Sequence, residues 1–127
     1  MTAGLDHPIT RGRIAQEQVR IVETYTGQSL DGPPASTLLA LPPEAVDYVP
    51  PPPAFQEAPA GKAQGLAFSL GRGRVVVLGE AGMLSAQSSP EGMRFGMNAP
   101  GFDNRQFALN IMHWLSGALG TGEGSAP

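Results

Sequence analysis

One carboxylate, Glu80, is the residue best placed to do chemistry in this sequence. It lies in residues 79–83, GEAGM, directly after the apolar run 75–78. Ligands of open α/β sheets bind at the carboxyl ends of strands, so Glu80 could serve as a general base or as a charge near helical amides. The simpler interpretation is that Glu80 caps the helix that follows or hydrogen-bonds loop amides. A hydrolase elbow, Gly-x-Ser-x-Gly, is excluded because Ala81 stands in place of the serine.

Histidine offers a second possible acid or base. His7 follows Asp6, and an imidazole oriented by a carboxylate can exchange protons near neutral pH. No serine or cysteine partner is identifiable, which favours a structural or solvated histidine. Because the second histidine, His113, is far away in sequence and cysteine is absent, no metal-ligand spacing exists, and we predict no metal or other cofactor.

Amide side chains form a third group of candidates, at Gln87, Asn98, Asn104 and Gln106. Such side chains can read a ligand, but they can equally tie a long loop to its own backbone, and the second role is the default interpretation. Together with Glu80 and His7 they are the candidate ligand-binding or loop-anchoring residues. No catalytic residue is assigned, and whether the chain is an enzyme stays open.

Composition narrows the function classes. The chain has 127 residues, which suits one domain, and it contains no cysteine. Thiol nucleophiles, disulfides and cysteine-ligated metals are therefore excluded. The net charge of −3 and the scattered arginines give no basic surface for nucleic acid. Neither a signal peptide nor a membrane-spanning run is indicated, and the compartment stays unknown.

The elements that must position these residues suggest an α/β chain. Residues 64–70 and 74–78 predict a β-hairpin joined at Gly71-Arg72-Gly73, and the apolar run 75–78 predicts a strand covered on both faces. Further predicted elements are strands at 19–26 and 36–41, short helices at 11–18 and 81–87, and a loop at 88–101. Residues 42–60 are read as a proline-rich exposed excursion that packs Tyr48 and Phe55 on the body, within a domain of residues 7–119 flanked by tails at 1–6 and 120–127.

A long C-terminal helix is the strongest single prediction. Asp103 and Gln106 have the spacing of a capping box, and Gly117 or Gly120 offers the stop. The predicted core-facing stripe is Phe107, Ile111, Trp114 and Leu115, widened by Ala108, Met112 and Leu119.

Several segments resemble the C-terminal half of an uncharacterised bacterial family with a class I glutamine-amidotransferase-like, flavodoxin-like fold. They are residues 6–13, 24–30, 71–87, 96–100 and 104–117. Similar domains occur in trehalose-utilisation-type proteins and in auxiliary subunits of gliding-motility transporters. The resemblance implies a partial flavodoxin-like sheet. It does not imply glutaminase activity, because active members use a cysteine that this chain lacks.

Half of a doubly wound sheet leaves a strand edge and apolar faces uncovered. We therefore expect a homo-oligomer or a missing N-terminal half as partner. The leading hypothesis is a non-catalytic binding or assembly domain on an amidotransferase-like scaffold. The alternatives are a hydrolase-like enzyme that uses Glu80, with His7 as a further candidate, and a truncated gene product without an independent role.

Overall fold

The computed structural model describes residues 6–49 and 56–119, excluding the side chains of residues 56, 57 and 59. The fold is mixed α/β, with a three-stranded sheet, two two-stranded ladders and a long C-terminal helix. The tails at 1–5 and 120–127, and Phe55, lie outside the described residues. In chain order the elements are α1 Pro8–Arg11, β1 Thr37–Ala40, β2 Val46–Val49, β3 Gln56–Pro59, β4 Ala63–Leu70, β5 Gly73–Leu78, β6 Ala86–Ser88, β7 Arg94–Gly96 and α2 Asn104–Leu115, with 3₁₀ turns at Ala15–Glu17, Pro34–Ser36 and Gly82–Leu84.

The central sheet has the strand order β1-β4-β5, and both pairings are antiparallel. The predicted hairpin of β4 and β5 is confirmed. Its turn begins at Gly71, whose φ of 59° is a conformation that glycine adopts without strain. The strand predicted at 36–41 is confirmed as β1. Flavodoxin-like sheets are parallel, so these pairings lend the flavodoxin-like expectation no support, and it stays a prediction.

Strand β5 is an edge of this sheet, and one of its faces is partly exposed. Val76 and Leu78 pack against the core, whereas Val77 points away and is 37% exposed. The prediction of a strand covered on both faces was therefore wrong at Val77, although Leu66, its partner in the pairing, is buried on the same face beside Gly32. Phe68 and Leu70 of β4 share that open face by register and are also exposed.

Helix α2 packs its buried face against the sheet and the N-terminal segment. Phe107, Ile111 and Trp114 are buried as predicted, but Leu115 and Met112 are 40% and 63% exposed, so the predicted stripe was wrong at these two positions. At 100° per residue, the buried arc centres on Phe107 and includes two asparagines instead. Gly117, with φ of 87°, follows the helix end as predicted, and Leu119 packs against the core. Gly120 lies outside the described residues.

The N-terminal segment is extended, but it forms no strand at 19–26. Its amides are bonded to side chains at the start of α2: Arg20 N and Ile21 N donate to Oδ2 of Asp103 at 2.7 and 3.1 Å. The capping box predicted at the start of α2 is absent for the same reason, since the Asp103 carboxylate makes no cap bond to its own helix. Gln106 bonds Asn110 instead.

Four shorter predictions also change. The helix predicted at 11–18 is divided: α1 ends at Arg11, Gly12 has φ of 68°, and a 3₁₀ turn follows. The helix predicted at 81–87 is a 3₁₀ turn followed by β6, and the loop predicted at 88–101 contains β7, which pairs with β6. Within the proline-rich region β2 pairs with β3, and Tyr48 is 64% exposed rather than packed on the body.

No helix in the described ranges combines the length and the apolar character needed to cross a membrane.

Candidate functional site

A cleft of about 580 Å³ lies beside Glu80, where three segments of the chain converge. The segments are residues 25–27, residues 79–82 after β5, and the β6–β7 hairpin. The structure brings Glu80 and Gln87 to this cleft and leaves the other four candidates outside its lining. The residues that line it are Tyr25, Thr26, Gly27, Gly79, Glu80, Ala81, Gly82, Ser85, Gln87 and Phe95.

Two glycines allow the walls of this cleft, called the Glu80 cleft below, to approach closely. A Cβ atom on Gly27 would lie 2.5 Å from Cβ of Glu80 and 2.6 Å from the carbonyl oxygen of Gly79. A Cβ atom on Gly82 would lie 2.7 Å from ring carbon Cδ2 of Tyr25 and 2.9 Å from Oε2 of Glu80. These contacts are far tighter than van der Waals separation, so a side chain at Gly27 would clash with Glu80 and Gly79, and one at Gly82 would clash with Tyr25 and Glu80.

Glu80 holds the 3₁₀ turn that follows it. The amide of Met83 donates to both carboxylate oxygens, at 3.0 Å to Oε1 and 3.2 Å to Oε2. This is the capping role that the simpler interpretation of the sequence predicts. A carboxylate has about four lone-pair positions, so one backbone donor leaves Glu80 with charge and acceptor capacity at the cleft wall.

Tyr25 is the principal residue that sequence reasoning missed. Its hydroxyl donates to Oε2 of Glu23 at 2.6 Å and accepts from the amide of Gly96 at 2.8 Å. Its ring meets that of Phe95 edge to face, with centroids 6.3 Å apart. Burial raises the pKa of Tyr25, and so do the hydrogen bond to Glu23 and the negative charges of Glu23 and Glu80.

The hydroxyl of Ser85 does not form a nucleophile–base pair. Its Oγ donates to the carbonyl of Gly82 at 2.7 Å. Nucleophilic catalysis by serine needs a base within hydrogen-bond reach of Oγ, with a third group to orient that base. Among the residues lining the Glu80 cleft, no histidine or lysine is present to take that role.

Asn104 anchors loops behind the Glu80 cleft. It is 1% exposed, and its Oδ1 accepts from the amide of Glu23 at 2.8 Å. Its Nδ2 donates to the carbonyls of Glu23 and Met83, at 2.8 and 3.0 Å. Because Glu23 bonds Tyr25 and Met83 bonds Glu80, this one side chain connects two walls of the cleft.

Asn110 is a second buried anchor, further along α2. Its Nδ2 donates to the carbonyls of Ile9 and Glu17, both at 2.8 Å. Gln106 donates to its Oδ1 at 2.9 Å. Gln106 therefore supports the anchoring of the N-terminal segment, and it does not line the cleft.

The remaining two candidates also lie outside the cleft lining. His7 caps α1, since its Nδ1 accepts from the amide of Ile9 at 3.1 Å, and its ring packs edge-on against Trp114. Burial, and to a smaller extent the charge of Arg11, lowers the pKa of His7. Asn98 is exposed, in a turn where its backbone amide bonds the carbonyl of Phe95.

Two other cavities adjoin the β2–β3 ladder. One, of about 620 Å³, shares residues 25–27 with the lining of the Glu80 cleft and is bordered by Gln64, whose buried Oε1 has no hydrogen-bond partner among the residues described. The other, of about 710 Å³, is lined mainly by prolines, alanines and short apolar side chains. The residues that line the Glu80 cleft all belong to the described part of the chain.

Within residues 6–49 and 56–119, no three histidine or acidic side chains converge as a metal site requires. Comparison of the chain with protein families, with curated proteins and with solved structures finds no match. The site's own geometry is therefore the basis for a function.

Proposed function

We propose that this chain is a non-catalytic binding domain, on an amidotransferase-like scaffold, whose ligand occupies the Glu80 cleft. One observation carries the proposal: Glu80 makes a single backbone contact within its turn, while its charge lies beside two aromatic side chains in a cleft of ligand size. Small-molecule sites are typically cavities of about 300 to 1,000 Å³ with a few placed polar groups among apolar ones.

The hydrogen bonds around the cleft favour binding over hydrolysis. Ser85 is bonded to a carbonyl, and the Tyr25 hydroxyl is bonded to a carboxylate and an amide. A hydrolase that used Glu80 as a base would have to activate water with a carboxylate that already accepts from Met83 N. These hydrogen bonds fix the walls of the cleft, and none of them pairs a nucleophile with a base.

The open face of the sheet favours assembly as a second function. Phe68, Leu70 and Val77 are exposed on adjacent strands, and β5 has an unpaired edge among the described residues. Contiguous exposed apolar side chains at a sheet edge are typical of surfaces that meet another chain. A second copy and a separate N-terminal half both stay proposals for the occupant.

The binding proposal is tested by a fragment screen read from backbone amide shifts. We expect fragments to move the amides of Gly27, Gly79 and Gly82 in a saturable way. Ala81→Trp should block these shifts, because Ala81 is exposed and lines the cleft. Ala118→Trp, which puts the same side chain on an exposed alanine after α2, should leave them intact. Shifts that survive Ala81→Trp, or no shifts at all, would refute the proposal.

The hydrolase alternative is tested with a panel of esters and amides. We expect no turnover above background. Turnover that is lost in Glu80→Gln while the variant stays folded would establish the hydrolase instead, because glutamine keeps the acceptor for Met83 N and removes only the titrating charge.

A further inference from the structure

We infer that the Glu80 cleft selects small organic cations whose charge is on a primary or quaternary ammonium group. The inference rests on the proposed binding function and adds the class of ligand. It depends on three features of the cleft: the sign of its charge, the placement of its aromatic rings and the kind of polar groups at its rim.

The charged side chains at the cleft are acidic. Glu80 lines the wall, and the carboxylate of Glu23 lies directly behind the Tyr25 hydroxyl. The lining residues include no lysine, arginine or histidine. An anionic ligand would leave water for a site without a positive partner, whereas a cation would gain a charge-assisted contact with Glu80.

The aromatic rings border the same space as the carboxylate. The position of a Cβ atom on Gly82 is 2.7 Å from the Tyr25 ring and 2.9 Å from Oε2 of Glu80, so the ring and the carboxylate both lie next to this glycine. The Phe95 ring meets the Tyr25 ring edge to face. Cations are attracted to the face of an aromatic ring within about 6 Å of its centre, and aromatic side chains are the usual partners of quaternary ammonium groups.

The rim of the cleft supplies hydrogen-bond acceptors, and it carries no positively charged side chain among the lining residues. Thr26 and Gln87 are exposed at the mouth of the cleft, and a hydroxyl and an amide oxygen can each accept from an ammonium N–H. Burial raises the pKa of Tyr25, and the hydrogen bond to Glu23 and the nearby charges of Glu23 and Glu80 raise it further.

The test compares three probes of similar size and different charge at constant ionic strength: tetramethylammonium chloride, tert-butanol and sodium acetate. We expect tetramethylammonium to bind with saturation at the amides of Gly27, Gly79 and Gly82, about tenfold more tightly than tert-butanol. Acetate should not bind. Equal or tighter binding of tert-butanol or acetate would overturn the inference and leave the binding function standing. If no probe and no fragment moves the cleft amides, the binding function itself fails.

Variants show whether Glu80 is responsible. Glu80→Gln should weaken tetramethylammonium binding about tenfold, while the matched control Glu91→Gln, an exposed carboxylate in the β6–β7 turn, should leave the affinity unchanged. Phe95→Leu should weaken binding of the cation several-fold and binding of tert-butanol only slightly. This variant provides the test if Glu80→Gln does not fold. An equal loss in Glu91→Gln, or unchanged affinity in both Glu80→Gln and Phe95→Leu, would contradict the inference.

Discussion

Asn104 and Asn110 lie on the buried face of α2, whereas Glu80 and Gln87 lie in the wall and at the rim of a cleft. Every polar atom of the two asparagine side chains is bonded to another group of the protein. Glu80 has one backbone partner, the amide of Met83, and its carboxylate lines the cleft. Polar residues that look alike in sequence thus have two different roles. Asn104 and Asn110 form a buried anchor that fixes loops, whereas Glu80 and Gln87 line a surface that can still bind a ligand.

The largest expected effect on stability comes from changing the buried anchor residue Asn104. Asn104→Ala should lower the free energy of unfolding by about 3 kcal/mol, because it leaves the amide of Glu23 and the carbonyls of Glu23 and Met83 without their partner. Urea unfolding measures the loss. Asn98→Ala, at an exposed position, should stay within about 0.5 kcal/mol of the wild type. A cost below about 1 kcal/mol for Asn104→Ala would show that the anchor is not needed.

We expect the cleft to tolerate substitutions of its larger residues better than substitutions of its glycines. Gly27→Ala should cost about 2 kcal/mol and alter the cleft, because the added methyl would lie 2.5 Å from Cβ of Glu80 and close to a carbonyl oxygen. Gly73→Ala is the control, since its added methyl would make one ordinary contact at 3.5 Å. Thermal unfolding of the two variants checks the difference, and equal melting temperatures would contradict the close approach of the walls.

The cap formed by His7 predicts a dependence of stability on pH. The pKa of His7 is lowered in the folded state, so the unfolded chain binds more protons as the pH falls. Its contribution is present above about pH 6.5, the unfolded pKa, and is lost as the pH decreases below that value. His7→Asn keeps an N-cap acceptor without a titrating group, and unfolding measured from pH 7.5 to 5 should show a smaller loss. An identical pH profile would mean that His7 does not cap α1 as a neutral imidazole.

The smallest effect on stability is expected on the open sheet face. Leu70→Ser should change the free energy of unfolding by no more than about 0.5 kcal/mol, since Leu70 is exposed. If this face meets another copy, the same change should weaken self-association in sedimentation experiments. Leu109→Ser, at an exposed leucine of α2, is the control and should have no effect on association. A wild-type chain that stays monomeric at all concentrations would exclude a second copy as the occupant.

The sequence predicts the elements whose signals are local. The β4–β5 hairpin follows from alternation and a glycine turn, and α2 follows from its apolar period. The stripe on α2 is misjudged because hydrophobicity alone favours Leu115 and Met112, while the fold buries Asn104 and Asn110 to satisfy distant backbone groups.

The sequence predicts only two of the residues that line the cleft. Glu80 is recognised from its position after a strand and Gln87 from its amide side chain, but Tyr25 and Phe95 are not recognised. They are 70 positions apart in sequence order, and their contact depends on the long-range hydrogen bond from Gly96 to the Tyr25 hydroxyl. No local period signals such a bond. A tyrosine between two threonines is equally typical of a β-strand, so the local sequence does not mark Tyr25 as a cleft residue.

The most direct test of this account is a single amide-resolved titration with tetramethylammonium that observes both sets of groups at once. We predict saturable shifts at the backbone amides of Gly27, Gly79 and Gly82, with the side-chain amides of Asn104 and Asn110 unmoved, because the anchor has no capacity left for a ligand. Shifts of the asparagine side chains in step with the cleft, or a cleft that no ligand moves, would contradict it.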